Sequence, residues 1–550
     1  MAIPKSYPMK FTPTGLVDAF DASGKFPGAC RALKDLIFDQ SNPEIMISRP
    51  GVTTIYNFSD FTTPGFISVA VTVGTRVYGM IATARNAGND EPFCYDLVAG
   101  AFVSISGVTA GNTPLSPATT GPWAPPTIAN VGVYIIITHP GFSGFGTNFF
   151  GVIDLTNFAA PAWYSANLAT NPLAAAPQAV ANFNDRAYFA VGNTLPYSDV
   201  LTLTRTLATQ QLTIGDNAAI TALSGLPIST TSSGVIGALI AFKPASTWQI
   251  TGDTTSTVNP LSLNFISLTM GTLSPRSVAQ SPQGLYFATP SAPYFIDPIG
   301  TLRPLTNKIT DSDPDVQTPW INATVPSRIA GCYAGSLYRV CMATVINGQQ
   351  VTNDYWFDEH RRRFNGPHSV PYDCATQSLD GADFILTSAV NPALLIGSQS
   401  SPDLASVYTD FGTPQAPVLL SSTFPKTGRM TEKQVVESTQ ELSSSFGDST
   451  YSIVAQDEQG NTLGSVAVAI VIAGEKWTAS PGPPYWGGGG KWTNSYNIPH
   501  VYSLPWSAPI VFKKMAIQIS AVGSAQLQIG THFARYQDTG YTNLTAPNTP

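Results

Sequence analysis

The stretch QGLYFATPSAPYFIDPIGTLRPL, residues 283–305, decides the fold, because it sets two aromatic and β-branched runs on either side of a short turn. Such a pattern predicts antiparallel strands that pair through tight hairpins. Equivalent runs recur every 46 to 56 residues, centred on Tyr78, Tyr134, Tyr188, Leu239, Tyr286, Tyr338 and Phe384. This interval is the length of a four-stranded sheet with its turns, which is the repeat unit of a β-propeller. The sequence therefore predicts an all-β protein with a propeller of six to eight blades, seven being favoured.

The residue pattern changes twice along the chain, which predicts three regions. Residues 1–62 are extended and proline-bearing, and we expect them to form an N-terminal arm or platform. Residues 63–425 hold the repeats of the β-propeller. From residue 426 onward, segments such as TYSIVAQDEQGNTLGSVAVAIVI alternate in the manner of half-buried antiparallel strands. Residues 426–550 are therefore predicted to form a separate C-terminal β-sandwich domain.

One segment of the N-terminal region has helical spacing. In GACRALKDLIFDQSNPE, the apolar residues Ala32, Leu33, Leu36 and Ile37 fall on one face at that spacing. The segment predicts one short N-terminal helix, which Asn42-Pro43 would end. With Arg31 and Lys34, the helix is a candidate for docking on another protein. The alternative is that Leu33, Leu36 and Ile37 only pack the helix onto the first blade.

Charge is scarce in this chain. Charged residues make up 11% of the sequence, and Asp154 is the only one between residues 101 and 180, whereas about 25% is usual. Charged surfaces keep free proteins apart, so we expect neighbouring subunits to cover much of this surface. The net charge of -7 argues against a protein that holds nucleic acid by neutralising phosphates. Any contact with DNA is therefore expected to be transient.

The cysteines and the apolar runs predict the cellular compartment. The five cysteines, at positions 30, 94, 332, 341 and 374, form neither a zinc pattern nor a disulfide framework. Buried free thiols and synthesis in a reducing cytoplasm are expected. The opening MAIPKSYPMKFTPTGL lacks the apolar core of a signal peptide, and no run of 18 apolar residues occurs. No membrane span is predicted.

Each catalytic or ligand-binding motif that the sequence approaches lacks a required residue. GGGGKW lacks both the first glycine of a phosphate-binding loop and the Ser or Thr after Lys491. GFSGFG, around Ser143, lacks the glycine spacing of a nucleophile elbow. Asp311, Asp313 and Asp315 alternate as in a calcium loop, but the required glycine and glutamate are missing, so a solvated turn is favoured. The histidines, at 139, 360, 368, 500 and 532, form no metal pattern. No catalytic residue, metal or cofactor is predicted.

Two further features are candidate contact sites. Arg361, Arg362 and Arg363 in DEHRRRF form the strongest basic cluster and would lie in a turn between two strands of one blade. The favoured interpretation is a solvated hairpin tip neutralised by Asp358 and Glu359. The alternative is a contact with DNA phosphates or with another subunit.

The second contact feature is the glycine-rich loop PGPPYWGGGGKW. It is a candidate gate, with aromatic anchors flanking four glycines. An ordinary hairpin with packed tryptophans is the favoured alternative. The candidate gate residues are Tyr485, Trp486, Gly487, Gly488, Gly489, Gly490 and Trp492.

The segments DRAYFAVGNTLPYSD, LTIGD, ALIAFKPASTWQITGD and MGTLSPRSVAQSPQGLYFATPSAPYFID resemble the hub or nozzle proteins, of the tail tube protein B type, in short-tailed bacteriophages. The resemblance covers about residues 182 to 310 most strongly and includes W-x-I-T-G-D and G-x-x-S-x-R-S elements. It implies a non-enzymatic virion tail subunit, assembled in the host cytoplasm. Six such subunits would form a ring that continues and gates the DNA channel during DNA ejection.

The resemblance also implies the partners. These are other copies of the chain in a hexamer, the portal adaptor, a tail fibre or spike, and double-stranded DNA passing through the channel. Two alternatives remain open: a propeller-type polysaccharide depolymerase, which would need two carboxylates around a scissile bond, and a sugar-binding receptor module of the tail. The scarcity of acidic residues argues against the enzyme.

Overall fold

The computed structural model shows an all-β protein. It describes residues 6–13, 15–16, 29–39, 42, 44–57, 66–86, 89–109, 111–114, 126–231, 234–253, 260–306, 328–346, 349–370, 372–378, 384–388, 393–397, 409–410, 413–422, 432–445, 449–470, 500–506, 509–522 and 526–540. Within these ranges there is no α-helix, and the helical elements are two short 3-10 turns, Pro140–Gly144 and Pro275–Ser277.

Most of the strands belong to seven successive groups of four strands, which we number in chain order. Group 1 contains Phe66–Val73, Arg76–Asn86, Asn89–Asp96 and Ala101–Phe102; group 2 contains Thr127–Val131, Tyr134–Thr138, Phe150–Asp154 and Ala162–Ala166; group 3 contains Ala179–Phe183, Arg186–Ala190, Thr194–Pro196 and Gln211–Thr213; group 4 contains Ala222–Thr231, Gly234–Phe242, Thr247–Thr251 and Ser262–Ser267; group 5 contains Ala279–Ser281, Gly284–Ala288, Pro293–Ile296 and Leu302–Pro304; group 6 contains Ala330–Ala334, Leu337–Ile346, Gln349–Asp358 and Arg363–His368; group 7 contains Tyr372–Gln377, Phe384–Ser388, Ala393–Gly397 and Val52–Asn57.

Consecutive strands within a group pair antiparallel, as the hairpin pattern predicts. In group 3, an antiparallel bridge between Tyr188 and Tyr197 connects the two strand pairs. Group 7 takes its last strand, Val52–Asn57, from the N-terminal part of the chain. Because this strand precedes group 1 in the sequence, it ties the last group to the start of the chain.

The groups form a closed circuit. The first strand of each group contacts the first strand of the next, and the first strand of group 7 returns to the first strand of group 1. Small sheets that surround a common axis in this way are β-propeller-like. Each repeated aromatic or leucine centre of the sequence lies on the second strand of its group. Tyr78, Tyr188, Leu239 and Tyr338 are fully buried there, because a second strand has neighbours on both sides.

Two further sheets contain the N-terminal and C-terminal strands. Sheet A runs in the order Leu36–Phe38, Met46–Ser48, Gln526–Gly540, Glu432–Ser445 and His500–Ser503, with Ser6–Phe11 paired to Gln526–Gly540 and Val511–Phe512 paired to Glu432–Ser445. Sheet B continues group 6 through Ala29–Lys34, Val418–Ser421, Ala516–Val522, Ser449–Gln456 and Thr462–Ile470, with Gly15–Leu16 paired to Ala29–Lys34. Two minor pairs are Ala169–Thr170 with Thr204–Arg205 and Thr409–Asp410 with Thr413–Pro414.

Sheets A and B enclose one hydrophobic core. Leu442 of sheet A and Ile519 of sheet B belong to the same buried cluster. The side chain of Tyr451, in sheet B, crosses this core, since its hydroxyl donates to the carbonyl of Ser443 and accepts from the amide of Gln528, both in sheet A. The strand Ser449–Gln456 alternates buried and less buried positions, as the sequence pattern predicts. The same cluster extends to Tyr338 of group 6, so sheets A and B share a core with the ring.

The predicted N-terminal helix is wrong. Ala29–Lys34 and Leu36–Phe38 are strands, separated by Asp35 at a φ of 54°. Apolar residues at helical spacing fit two short strands equally well. A residue with a left-handed backbone conformation between the strands changes which sequence positions face the core. The division into residues 1–62, 63–425 and 426–550 remains a prediction, and strands from the first region pair with strands from both of the others.

Candidate functional site

A cavity of about 850 Å³ lies on the axis of the ring. Its lining includes residues from the first strand of all seven groups, from Val71 in group 1 to Thr376 in group 7. Small-molecule sites have volumes of about 300 to 1,000 Å³. The cavity is therefore the principal candidate site in the part of the chain that the structure describes.

Arg276 extends into this cavity from the 3-10 turn between groups 4 and 5. One guanidinium nitrogen donates to the carbonyl of Ser68 at 3.3 Å, and another donates to the carbonyl of Arg328 at 3.4 Å. Ser68 belongs to group 1 and Arg328 precedes group 6. Because groups 1 and 5 are not neighbours in the circuit, the side chain of Arg276 reaches across the axis of the ring.

The sequence around Arg276 is the G-x-x-S-x-R-S element, GTLSPRS, and its other residues fix the turn. A Cβ on Gly271 would lie 1.8 Å from the carbonyl oxygen of Lys243, so only glycine fits. The Ser274 hydroxyl donates to the carbonyl of Ile329. The Ser277 hydroxyl accepts from the amide of Ala288 at 3.2 Å. These contacts join groups 4, 5 and 6 and hold Arg276 in a defined position.

The remaining polar lining is uncharged. Among the described residues that line the cavity there is no Asp, Glu, Lys or His. Burial raises the pKa of the Cys332 thiol to about 12, and burial with the neighbouring Glu359 raises the pKa of Tyr333, so both stay neutral at physiological pH. Gln280, four residues after Arg276, is exposed to the cavity. The described lining thus combines one guanidinium with hydroxyl and amide groups.

A second polar cluster is buried where the N-terminal strands meet the ring. Arg49 is 1% exposed, and its Nε donates to Asp35 Oδ1 at 2.8 Å while its Nη1 donates to Asp410 Oδ1 at 3.0 Å. Asp35 also accepts from the amide of Ser369 at 2.9 Å. Burial opposes ionisation of Asp35, but the charge of Arg49 and the hydrogen bonds from Ser369 outweigh it and lower its pKa.

A neighbouring ion pair lies within group 6. Arg339 donates to Oδ2 of Asp354, and the indole of Trp356 donates to the same oxygen at 2.7 Å. The guanidinium carbon of Arg339 lies 4.4 Å from the centre of the Trp356 ring, which is cation–π geometry. Burial lowers the pKa of His368 well below its usual value, so this imidazole is neutral. Sequence reasoning missed both clusters, since their residues come from separate segments and form no local motif.

The arginine run has three different environments. The run lies in the turn between the third and fourth strands of group 6. Arg361 pairs with Asp358 at 3.1 Å, donates to the carbonyl of Asp39, and lies over the ring of Phe38. Arg362 is exposed and Arg363 is half-buried. Glu359 accepts hydrogen bonds from the hydroxyls of Tyr286 and Tyr333.

The residues of the predicted docking helix differ in exposure to solvent. Leu33 and Leu36 are fully buried in the core, whereas Arg31 and Lys34 are exposed. Ile37 is half-buried and packs against the core of groups 6 and 7. The structure therefore assigns the apolar residues to packing and leaves Arg31 and Lys34 at the surface.

Several predicted features lie outside the described residues. These are the candidate gate residues Tyr485, Trp486, Gly487, Gly488, Gly489, Gly490 and Trp492, and the aspartates Asp311, Asp313 and Asp315. The five cysteines are free and buried, as predicted. No group of three or more metal-ligating side chains occurs in the described ranges, and no helix in them has the length and apolarity to cross a bilayer.

One end of the ring carries exposed apolar side chains. We call it the first-turn end, because it holds the turns between strands one and two and between strands three and four of each group. These turns are hydrogen-bonded to one another, for example through Leu155 and Val133 in group 2. The exposed large apolar residues at these turns are Val98, Val133, Phe158, Val200, Leu201, Leu207 and Ile299. Ile299 is 83% exposed and Val98 is 72% exposed, so the chain itself does not cover them.

Comparison with known proteins adds little to these observations. No family model matches the chain, and no curated protein matches it. Among solved structures, a chain in the crystal structure of the mitotic checkpoint complex aligns with 66% of this chain and 98% of its own length, at 9% identity and a TM-score of 0.37. A likeness of that size carries no inference about function or partners.

Proposed function

We propose that this chain is a structural subunit of a short phage tail nozzle. In this proposal the seven groups are the blades of a seven-bladed propeller, and sheets A and B form a C-terminal β-sandwich. Six subunits assemble into a ring that continues the DNA channel below the portal adaptor, gates it, and carries tail fibres. The resemblance of residues 182–310 to nozzle proteins supports this role, and the strands of groups 3 to 5 fall almost entirely within that segment.

The observation that carries the proposal is the apolar first-turn end. Isolated exposed apolar residues are normal on a protein surface, but a set of them on one end of a molecule indicates an interaction surface. Val98, Phe158, Leu201 and Ile299 provide such a set on four different groups. In a chain with 11% charged residues, few charges are available to keep this surface in solution. Burial between subunits is the simplest way to cover it.

The charge distribution supports a passage for DNA. The net charge of -7 repels a polyanion, so a wall with this balance lets DNA slide without holding it. Arg362 is the exposed member of the arginine run and is the candidate for a passing phosphate contact. Arg361 already contacts Asp358, Phe38 and the carbonyl of Asp39, so it is a poor candidate for a phosphate contact.

The sheet topology supports the other proposed contacts. Sheet B continues group 6 into the C-terminal strands, so a fibre docked on sheets A and B is rigidly joined to the ring. Arg31 and Lys34 are exposed on the strand that links sheet B to group 6. In the proposal these two side chains contact the adaptor, which replaces the predicted helix as the docking element.

A polysaccharide depolymerase has less support. Glycoside hydrolysis requires two carboxyl groups about 5 to 10 Å apart around the bond that breaks. The described lining of the central cavity offers neither Asp nor Glu. Release of reducing ends from capsular polysaccharide by the purified protein would favour the enzyme and contradict the assembly role as the sole function.

Electron microscopy and analytical ultracentrifugation test the proposal. We expect the purified protein, alone or with a portal adaptor, to form rings. Replacing Val98 and Ile299 together with glutamate should prevent ring formation while leaving the monomer folded, because both side chains are exposed and the new charges would be buried at an interface. Val522→Glu is the matched control, since Val522 is 63% exposed in sheet B and its strand belongs to none of the seven groups.

Two outcomes would contradict the proposal. The first is a compact monomer that never enters a ring or a particle. The second is a double variant that assembles as well as the control, which would show that the first-turn end is not an interface. Circular dichroism of each variant separates loss of assembly from loss of folding.

A further inference from the structure

A closed ring of six subunits needs two different contact surfaces on each subunit. Its interface is heterologous, so one face of a copy meets a different face of the next copy. In the nozzle proposed above, the first-turn end provides one of these faces. We propose that the outer edge of group 4, the strand Ser262–Ser267 with the following Leu268, is the other face and receives the first-turn end of a second copy of this chain. This inference rests on the proposed ring and names the surface that closes it.

The strand Ser262–Ser267 lies at the edge of its sheet. It is the last of the four strands of group 4, and it pairs antiparallel with Thr247–Thr251 on its inner side. In the described part of the chain, no strand pairs with its outer side. An edge strand of this kind presents a row of backbone N–H and C=O groups as well as its side chains. The edge is therefore a surface on which another chain can dock.

The fourth strands of the other groups are shorter or have a neighbour on that side. Those of groups 1, 3 and 5 contain two or three residues. In group 2, Ser106 bridges to Ala162, and in group 6 the strand Ala29–Lys34 continues the sheet. In group 7, Asp410 accepts from the amide of Val52. Among the described strands, group 4 thus has the long fourth strand without such cover.

Large apolar side chains are exposed along this edge. Phe265 is 64% exposed, Leu268 is 61% exposed and Leu263 is 36% exposed. Leu263 and Phe265 are two residues apart in a strand, so their side chains lie on the same face. The ring of Phe265 meets Trp248 edge-on, at 6.4 Å between centroids, and most of it remains open to solvent. Apolar side chains grouped in this way indicate an interaction surface.

The absence of charge on this edge favours a second copy as its partner. Residues 254–275 contain no Asp, Glu, Lys, Arg or His, although exposed edge strands are usually protected by charged residues, above all lysine. The first-turn end presents Val98 and Ile299, which are also apolar. Contact between these side chains and the group 4 edge buries no unpaired charge, which would be costly. The chain itself therefore carries a surface that matches this edge.

Charges placed on the edge test the inference. In the purified full-length protein, Phe265→Glu combined with Leu268→Glu should abolish rings and leave monomers in analytical ultracentrifugation, because the new charges would be buried at the interface. Val522→Glu is the matched control, since Val522 is 63% exposed, and it should assemble normally. Leu268→Glu alone is the second variant and should also abolish rings. It decides the question if circular dichroism shows that the double variant is unfolded.

Mixing two variants gives a sharper test. The variant with Val98→Glu and Ile299→Glu keeps an intact group 4 edge, whereas the variant with Phe265→Glu and Leu268→Glu keeps an intact first-turn end. Each should be a monomer by itself. Together they retain one working interface, so an equimolar mixture should form dimers that contain one copy of each variant and nothing larger. A mixture that stays monomeric would overturn the pairing of these two surfaces.

The outcomes separate this inference from the nozzle proposal. Rings that form as well in the edge variants as in Val522→Glu would overturn the inference. Such rings without bound tail fibres would make the edge a fibre dock instead. The nozzle proposal survives both results if the variant with Val98→Glu and Ile299→Glu fails to assemble. An unaltered protein that forms no ring, with or without the portal adaptor, overturns both.

Discussion

The guanidinium of Arg49 and the carboxylate of Asp410 bond at 3.0 Å between Nη1 and Oδ1, and this pair fastens the closure of the ring. Arg49 precedes the strand Val52–Asn57, which completes group 7. Oδ1 of Asp410 also accepts from the amide of Val52 at 3.2 Å. One carboxylate therefore holds both the cation and the first residue of the closing strand.

Removing this carboxylate should destabilise the protein strongly. Asp410→Ala leaves Arg49, 1% exposed, with one of its two acid partners, and breaking a buried ion pair costs about 3 to 5 kcal/mol. Urea denaturation followed by fluorescence measures the change. Glu437→Ala is the control, because the Glu437–Arg535 pair is half-exposed at 3.7 Å and should be worth about 1 kcal/mol or less. Equal effects of the two variants would refute a closure role for Asp410.

Acid should destabilise the protein below about pH 6.5. Burial lowers the pKa of His139 and of His532 to about 4 each, whereas an unfolded histidine has a pKa of about 6.5. Between these values the unfolded chain binds more protons than the folded one, so stability falls as the pH drops from about 6.5 to 4.

His532→Gln should reduce this loss. The Nδ1 of His532 lies 3.1 Å from Oε1 of Gln440, and an amide can replace that contact without titrating. Urea midpoints at pH 7, 5.5 and 4.5 give the slope of stability against pH. His360→Gln, at an exposed position, should leave the slope unchanged, and an unchanged slope in His532→Gln would contradict the assignment.

Gly151 is required by the packing of Trp163. A Cβ at position 151 would lie 1.9 Å from the end of the Trp163 ring, which is far below any van der Waals distance. Gly151→Ala should therefore destabilise the protein by about 1 to 3 kcal/mol through overpacking. Gly144→Ala is the control, because nothing lies within 4 Å of a Cβ there. Thermal denaturation compares the two, and a neutral Gly151→Ala would show that the ring of Trp163 has room to move.

Single replacements in the arginine run should have different effects on stability. Arg361→Ala removes an ion pair, a hydrogen bond to Asp39 and the contact with Phe38, and it should cost about 1 to 2 kcal/mol of stability. Arg362→Ala should leave stability within about 0.5 kcal/mol, because the side chain is exposed.

Arg362→Ala consequently isolates a functional contact. DNA ejection or ring assembly that is impaired in Arg362→Ala, with stability unchanged, would assign the run to DNA or a neighbouring subunit. Normal function in Arg362→Ala would leave the run with the structural role of Arg361. A triple replacement cannot separate these results, since it also removes the contacts of Arg361.

The repeat was readable from the sequence because each unit is local. Tyr78, Tyr188 and Tyr286 mark second strands whose partners are the adjacent segments of the chain. Pattern and turn chemistry are sufficient for such hairpins. The strand Ala29–Lys34 was mistaken for a helix because its partner, Val418–Ser421, is far along the chain, and tertiary pairing overrides local spacing.

The candidate sites were less predictable because their residues also come from segments that are far apart in the chain. Arg276 lies in a motif that the sequence already singled out, but its reach to Ser68 across the ring depends on the closed circuit. Asp35, Arg49 and Asp410 come from three segments, and no spacing rule connects them. Arg362, the middle member of the arginine run, is exposed, and the role of the run remains a prediction.

The strand pairing of the chain ends also sets the timing of folding during synthesis. Three strands near the start of the chain pair with strands that are synthesised much later. The pairs are Val52–Asn57 with Ala393–Gly397, Ala29–Lys34 with Val418–Ser421, and Ser6–Phe11 with Gln526–Gly540. On the ribosome these early strands have no partner until the late ones emerge, and unpaired strands of nascent chains are prone to aggregate. Pairing over such separations is slow, so we expect these three pairings to form late in folding, and expression at low temperature or with chaperones should raise the yield of folded protein.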